Sequence, residues 1–157
     1  MASWHFNMKR AGLWAIAVGV VVSMGVEQGY AGERAEKCTL ATLNGQYLFA
    51  GSATLFPPAF GVTSVSIGNS AGFHIFNGDG TGTDFVTLSV NGIDQHVPSP
   101  GATTYTLNPD CTGTLTVVNG PKLDIFVAVD GSALTSINTD PGVASSGPVE
   151  PRVGFGR

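Results

Sequence analysis

Two cysteines, three histidines and eleven acidic residues are the reactive stock of this 157-residue chain. Cys38 stands ahead of the first long apolar stretch, and Cys111 sits inside the turn-forming run LNPDCTGTL, residues 107–115. A cysteine nucleophile needs a nearby base and a lowered thiol pKa, and a zinc site needs further thiols or imidazoles at short spacing. Neither company is present: there is no Cys-x-x-Cys, and His74 and His96 are far from both cysteines in sequence. The pair therefore reads as one structural disulfide, Cys38 to Cys111. Closing a loop of about 72 residues restricts the unfolded chain by roughly 4 kcal/mol.

The remaining polar constellations are thin. NGDGTGTD, residues 77–84, sets Asn77, Asp79 and Asp84 around glycines, but position 75, where a calcium loop opens with an acid, holds Ile75. The stretch reads as a hairpin turn, with no metal. A Gly-Lys-Ser/Thr ending is also missing, so no phosphate cradle is expected. His74 alternates with Phe73 and Ile75 and is expected to face water if those two face inward. Asp124 alternates with Leu123 and Ile125, and Glu150 and Arg152 share one face of the last strand as a solvated pair. With no Gly-x-Ser-x-Gly elbow and no paired-carboxylate spacing, no catalytic residue is assigned and no cofactor is expected. The balance favours a protein that does not catalyse.

Residues 1–31 differ in kind from the rest. Lys9 and Arg10 precede the apolar run AGLWAIAVGVVVSMGV (11–26), and Gly29 and Ala31 supply the small pair of an export signal, with the cut expected between Ala31 and Gly32. A spanning helix needs about 20 apolar residues, and Glu27 interrupts this run before that. Lys37 ahead of Cys38 argues against a lipid anchor. The expected plan is a signal peptide over 1–31, a disulfide-tethered segment over 32–43 and one β-domain over 44–157, exported to the periplasm or beyond, with no membrane span in the mature chain. Removal of Lys9, Arg10 and Glu27 leaves ten acids against five bases, a net charge of about −5, which argues against nucleic acid as a partner.

Beyond residue 44 the chain is a succession of short runs rich in Val, Ile, Thr, Phe and Tyr, fenced by Gly, Asn, Asp or Pro. Strands are predicted over 45–51, 62–67, 71–76, 82–90, 103–107, 113–118, 122–129, 132–138 and 147–155. Asn-Gly or Asp-Gly in FNGDGTG, VNGID, VNGPK and VDGSA predicts tight hairpins, so sequence neighbours should pair in space. The expected fold is all-β, an antiparallel up-and-down barrel of about eight strands, whose closure removes exposed edges. The alternative is a β-sandwich of immunoglobulin type. Against it, the domain has no tryptophan, Cys111 sits in a turn, and Pro109 holds the place of the expected tyrosine.

In a closed meander residues i and i+2 share a face, so the more apolar set of each strand should line the lumen. That set is Tyr47 and Phe49, Phe73 and Ile75, Val86 and Leu88, Tyr105 and Leu107, Leu115 and Val117, and Ile125 and Val127. Such a wall suits a small apolar ligand, with two tyrosine hydroxyls to orient a polar end.

The layout of Cys38, LNGQYLFAG, FNGDGTGT, TYTLNPDCTGTLT, FVAVDG and TDPGVASSGPVEPR resembles a group of small exported bacterial β-barrel proteins comparable to lipocalins and to the allene oxide cyclase barrel, over most of residues 38–153. The resemblance implies a calycin-type barrel that holds a small apolar molecule, or contacts a partner through rim loops 52–61, 94–102 and 139–148. It also implies an alternative, a cyclase or isomerase, which should place a carboxylate or histidine inside the lumen. A third reading, a cell-surface structural or adhesion module, calls for a filled interior and an exposed apolar patch.

Overall fold

The structure, a computed structural model, describes residues 37–95 and 100–154; the signal peptide expected over 1–31 lies outside them. Ten strands follow one another: β1 (Asn44–Leu55), β2 (Ser66–Asn77), β3 (Thr81–Val90), β4 (Ile93–Gln95), β5 (Gly101–Leu107), β6 (Thr112–Val117), β7 (Lys122–Val127), β8 (Ala133–Asn138), β9 (Val143–Ser146) and β10 (Glu150–Val153). Among the described residues the only helical pieces are two single 3-10 turns, Leu40–Thr42 and Ala59–Gly61.

Every pairing is antiparallel, and the ladder runs β1, β2, β3, β5, β6, β7, β8, β10 before β10 pairs back onto β1. This is a closed eight-stranded up-and-down barrel, and its closure sets the sandwich alternative aside. The two additional strands have simple origins. At Asn91-Gly92 both φ values are positive, 50° and 80°, as a type I′ hairpin demands, and the chain folds back there as β4 against β3. β9 pairs with residues 52–55 of β1, while β10 pairs with residues 46–47. They are consecutive pieces of one strand position, separated at 147–149, where Pro148 has no N–H to give the ladder.

β2 runs unbroken through Gly68-Asn69-Ser70, between the two strands expected at 62–67 and 71–76. Those residues pair with both neighbours, β1 and β3. The tight point of β2 is Gly72, where a Cβ would overlap the Phe85 carbonyl and touch the Phe49 ring at 3.0 Å. Only glycine allows β2 and β3 to approach this closely there.

One end of the barrel is closed. The β2–β3, β5–β6 and β7–β8 turns gather there, each sealed by an aspartate that accepts from the backbone and hydroxyl two residues on: Asp79 from Thr81, Asp110 from Thr112, and Asp130, by its backbone bond, from Ser132. Those bonds to the ionised form hold all three carboxyls below their ordinary pKa. Cys38 is bonded to Cys111, and its N–H donates to the Pro109 carbonyl at 3.3 Å. Residues 38–43 are thereby drawn across this end, with Leu43 fully buried in the core. Gly131 (φ +66°) faces the Thr42 carbonyl so closely that any side chain there would collide with it.

Candidate functional site

The closed half of the lumen is filled. Leu43, Tyr47, Phe76, Tyr105, Leu115, Ile125, Val127 and Leu134 form one buried cluster, with Leu107 packed against it. Phe76 takes the edges of both tyrosine rings, at centroid distances of 5.4 and 5.0 Å. Tyr47 donates its hydroxyl to the Gly131 carbonyl at 2.6 Å. Tyr105 shares its hydroxyl proton between the carbonyls of Leu40 (2.9 Å) and Leu43 (3.0 Å). Burial raises both phenol pKa values. The two hydroxyls expected to orient a ligand are committed to the main chain that seals this end.

Of the residues expected in the lumen, Tyr47, Tyr105, Leu115, Val117, Ile125 and Val127 are buried inside, and Phe49, Val86 and Leu88 share those inward faces while only half-buried. Phe73 and Ile75 are a correction: they take the outer face of β2, because the buried residues of that stretch are His74 and Phe76. On the outside Phe73 stacks on Phe85 of β3, ring centroids 4.6 Å apart, and so shelters its apolar surface without entering the core.

His74, expected to face water, is 4% exposed, Asp84 is 5% and Glu150 is 4%. His74 and Asp84 are register partners on β2 and β3, and Nδ1 of the imidazole lies 3.0 Å from Asp84 Oδ1. Its Nε2 lies 3.6 Å from Glu150 Oε2 on β10, and Ser136 of β8 donates to Glu150 Oε1 at 2.7 Å. The Nδ1, Oδ1 and Oε2 atoms are close but not aligned as hydrogen bonds, so the attraction is electrostatic in a dry setting. Glu150 is thus no solvated partner of Arg152: both point to the interior side of β10, but Arg152 is exposed beside Gly45 at the closed mouth.

Above and below, the imidazole is covered by aromatics. Phe49 stacks on it with centroids 4.5 Å apart and planes 19° apart, and Phe76 lies at 5.7 Å. Burial pushes the Glu150 carboxyl above its ordinary pKa; the Ser136 bond and the His74 charge oppose this, and Asp84 adds to it. The two imidazole nitrogens face different carboxylates, so the three side chains do not converge on one point. Among the described residues no cluster of three or more His, Cys, Asp or Glu is arranged to hold a metal ion. The layer sets a carboxyl beside each imidazole nitrogen, the arrangement that proton transfer between such groups would need.

One signal for this layer was available in the sequence. Asp84 has the parity of Val86 and Leu88, so placing those two inward places Asp84 inward as well, and its partner on β2 with it.

Toward the open end the inner face changes character. The inward positions of β1 to β3 above His74 are Phe49, Gly51 and Ala53, then Gly68, Ser70 and Gly72, then Val86, Leu88 and Val90, and all are only half-buried. Small residues on β1 and β2 leave width, and β3 supplies an aliphatic wall. A shallow open depression of about 330 Å³ lies over the β9–β10 break, lined by Ala50, Gly51, Ser52, Asn69, Ser146, Gly147 and Pro148, and does not include His74. At the rim Phe56, Phe60, Val65, Ile67 and Ile93 are 46–65% exposed, Phe60 at a left-handed φ of 47°.

Comparison with protein-family models, with curated proteins and with solved structures finds no match to this chain. The barrel itself is of the kind the calycin resemblance implies, an eight-stranded antiparallel closure with a disulfide at one end. Among the described residues no helix is long and apolar enough to cross a membrane.

Proposed function

We propose that this protein is an exported binding barrel that takes a small apolar molecule on the half-exposed inner face of β1 to β3, above the His74 layer. The observation that carries this reading is the contrast between the two halves of the lumen. Below His74 the lumen is filled by one packed apolar cluster and both tyrosine hydroxyls are engaged; above it Phe49, Val86 and Leu88 offer apolar surface beside Gly51, Gly68, Ser70 and Gly72. A ligand laid there covers Phe49 and the β3 aliphatics, with Ser70 to meet a polar end. The Cys38–Cys111 bond suits an oxidising compartment, and N-terminal sequencing of the mature protein should read from Gly32. Native mass spectrometry of protein purified from its own host tests the binding reading. A retained small molecule, displaced in Val86→Lys, supports it; bare protein that also takes up no added apolar compound counts against it and leaves the apolar rim as a partner surface.

A second reading, a cyclase or isomerase, is favoured by the imidazole held between two carboxylates inside the lumen. In it Glu150, whose carboxyl pKa is raised by burial, is the acid, and His74, beside Asp84, is the base. It requires Phe49 to swing off the imidazole. Loss of turnover in Glu150→Gln with ligand binding retained would distinguish it from simple binding.

A further inference from the structure

Of the eight strands of the barrel, β10, which closes it, is held by the fewest ladder pairs. β10 pairs with β8 only at Glu150–Leu134 and Pro151–Ala133, and with β1 only at Gln46–Val153 and Tyr47–Arg152, whereas β1 and β2 pair along the whole of both strands. Pro151 brings no N–H to this seam. Arg152 N–H donates to the Ser132 carbonyl at 2.8 Å. The side chain that ties β10 across the interior is Glu150, to Ser136 on β8 and toward His74 on β2.

Inside the barrel Glu150 meets one carboxylate, Asp84 of β3, and one imidazole, His74 of β2. β1 and β5 contribute Tyr47 and Tyr105, whose hydroxyls are bonded to carbonyls. β6 and β7 contribute Leu115, Ile125 and Val127, and β8 contributes Leu134 and Ser136. Arg152 of β10 itself is exposed at the closed mouth. No other buried charged side chain is present among the described residues. Ionising Glu150 places its charge in a dry interior that it shares with the Asp84 carboxyl, with a single imidazole between the two.

We propose that Glu150 is a proton-controlled latch on the barrel seam: while its carboxyl is protonated β10 stays seated between β8 and β1, and loss of that proton frees β10 and opens the lumen from the side. The sign follows from Glu150, whose folded-state pKa is raised by burial. A raised carboxyl pKa gives stabilisation that is present below the unfolded-state value and lost as pH rises through the folded-state value. The seam therefore loosens toward higher pH. The latch operates with or without a ligand, so it stands apart from the binding reading.

Amide hydrogen exchange on the disulfide-intact protein tests it, with protection factors corrected for the intrinsic pH dependence of exchange. From about pH 5 to about pH 8 the Arg152 amide should lose about tenfold or more in protection, as proton release coupled to opening requires, while amides of the β6–β7 ladder hold theirs. Glu150→Gln should flatten the Arg152 profile. Asp84→Asn, which removes the carboxyl that helps to raise the Glu150 pKa, should move the fall to lower pH, and it serves if Glu150→Gln does not fold. An Arg152 protection factor that is constant with pH, or the same fall in both variants, overturns the latch.

Discussion

His74 Nδ1 and Asp84 Oδ1 face each other at 3.0 Å across one β2–β3 register pair, both inside the barrel. A buried carboxylate is tolerated only with such a partner, because isolated charge in a dry interior is costly. Removing the imidazole strands two carboxyls, Asp84 and Glu150, in an apolar layer capped by Phe49 and Phe76. His74→Leu should therefore destabilise the folded protein at neutral pH by about 3–5 kcal/mol. In His74→Leu/Glu150→Gln a substantial part of that loss should return, since one of the stranded charges is gone. Urea unfolding at constant pH measures both, and equal stability of the single and double variants would contradict the electrostatic account.

The Cys38–Cys111 bond joins the segment that covers the closed end to the β5–β6 turn, across 73 positions of sequence. Cys38→Ser/Cys111→Ser should lower stability by roughly 4 kcal/mol through restored freedom of the unfolded chain. Because Leu43 also loses its tether, exchange protection at Tyr47 and Gly131 should fall with it. Denaturant midpoints and peptide-level exchange read the two effects, and unchanged protection at the closed end would show that packing alone holds the segment.

Tyr105 binds the carbonyls of Leu40 and Leu43 rather than a ligand. Tyr105→Phe should cost about 1–3 kcal/mol, because buried acceptors lose their donor. It should leave ligand affinity unchanged. Weakened binding of ligands with a polar end, at unchanged stability, would return the hydroxyl to the binding site.

The architecture was legible where chemistry is local. Asn-Gly and Asp-Gly turns announced hairpins, hairpins announced a meander, and alternation in β1, β5, β6 and β7 named the inward residues. β2 misled because its outer face is the more apolar one: Phe73 and Ile75 outrank Gly72 and His74 by hydrophobicity, yet Gly72 must fit against the Phe85 carbonyl and the Phe49 ring and His74 must meet Asp84. Partnership across strands decided that orientation, and no single strand displays it. Glu150 was hidden for a related reason, since its surroundings come from β2, β3 and β8, distant in sequence. The break between β9 and β10 was half visible as Gly147-Pro148, but the bounds of both pieces depend on which part of β1 each one meets.

The central claim, that the open half of the lumen binds a small apolar molecule, is tested most directly with Phe49→Trp in the chain lacking residues 1–31, where it is the sole tryptophan. Titration with the molecule retained from the host, or with an apolar fluorescent probe, should shift the tryptophan emission saturably at one site per chain, and Val86→Lys in the same background should weaken that binding at least tenfold. A tryptophan signal that does not saturate, or that saturates equally in the Val86→Lys background, would contradict it.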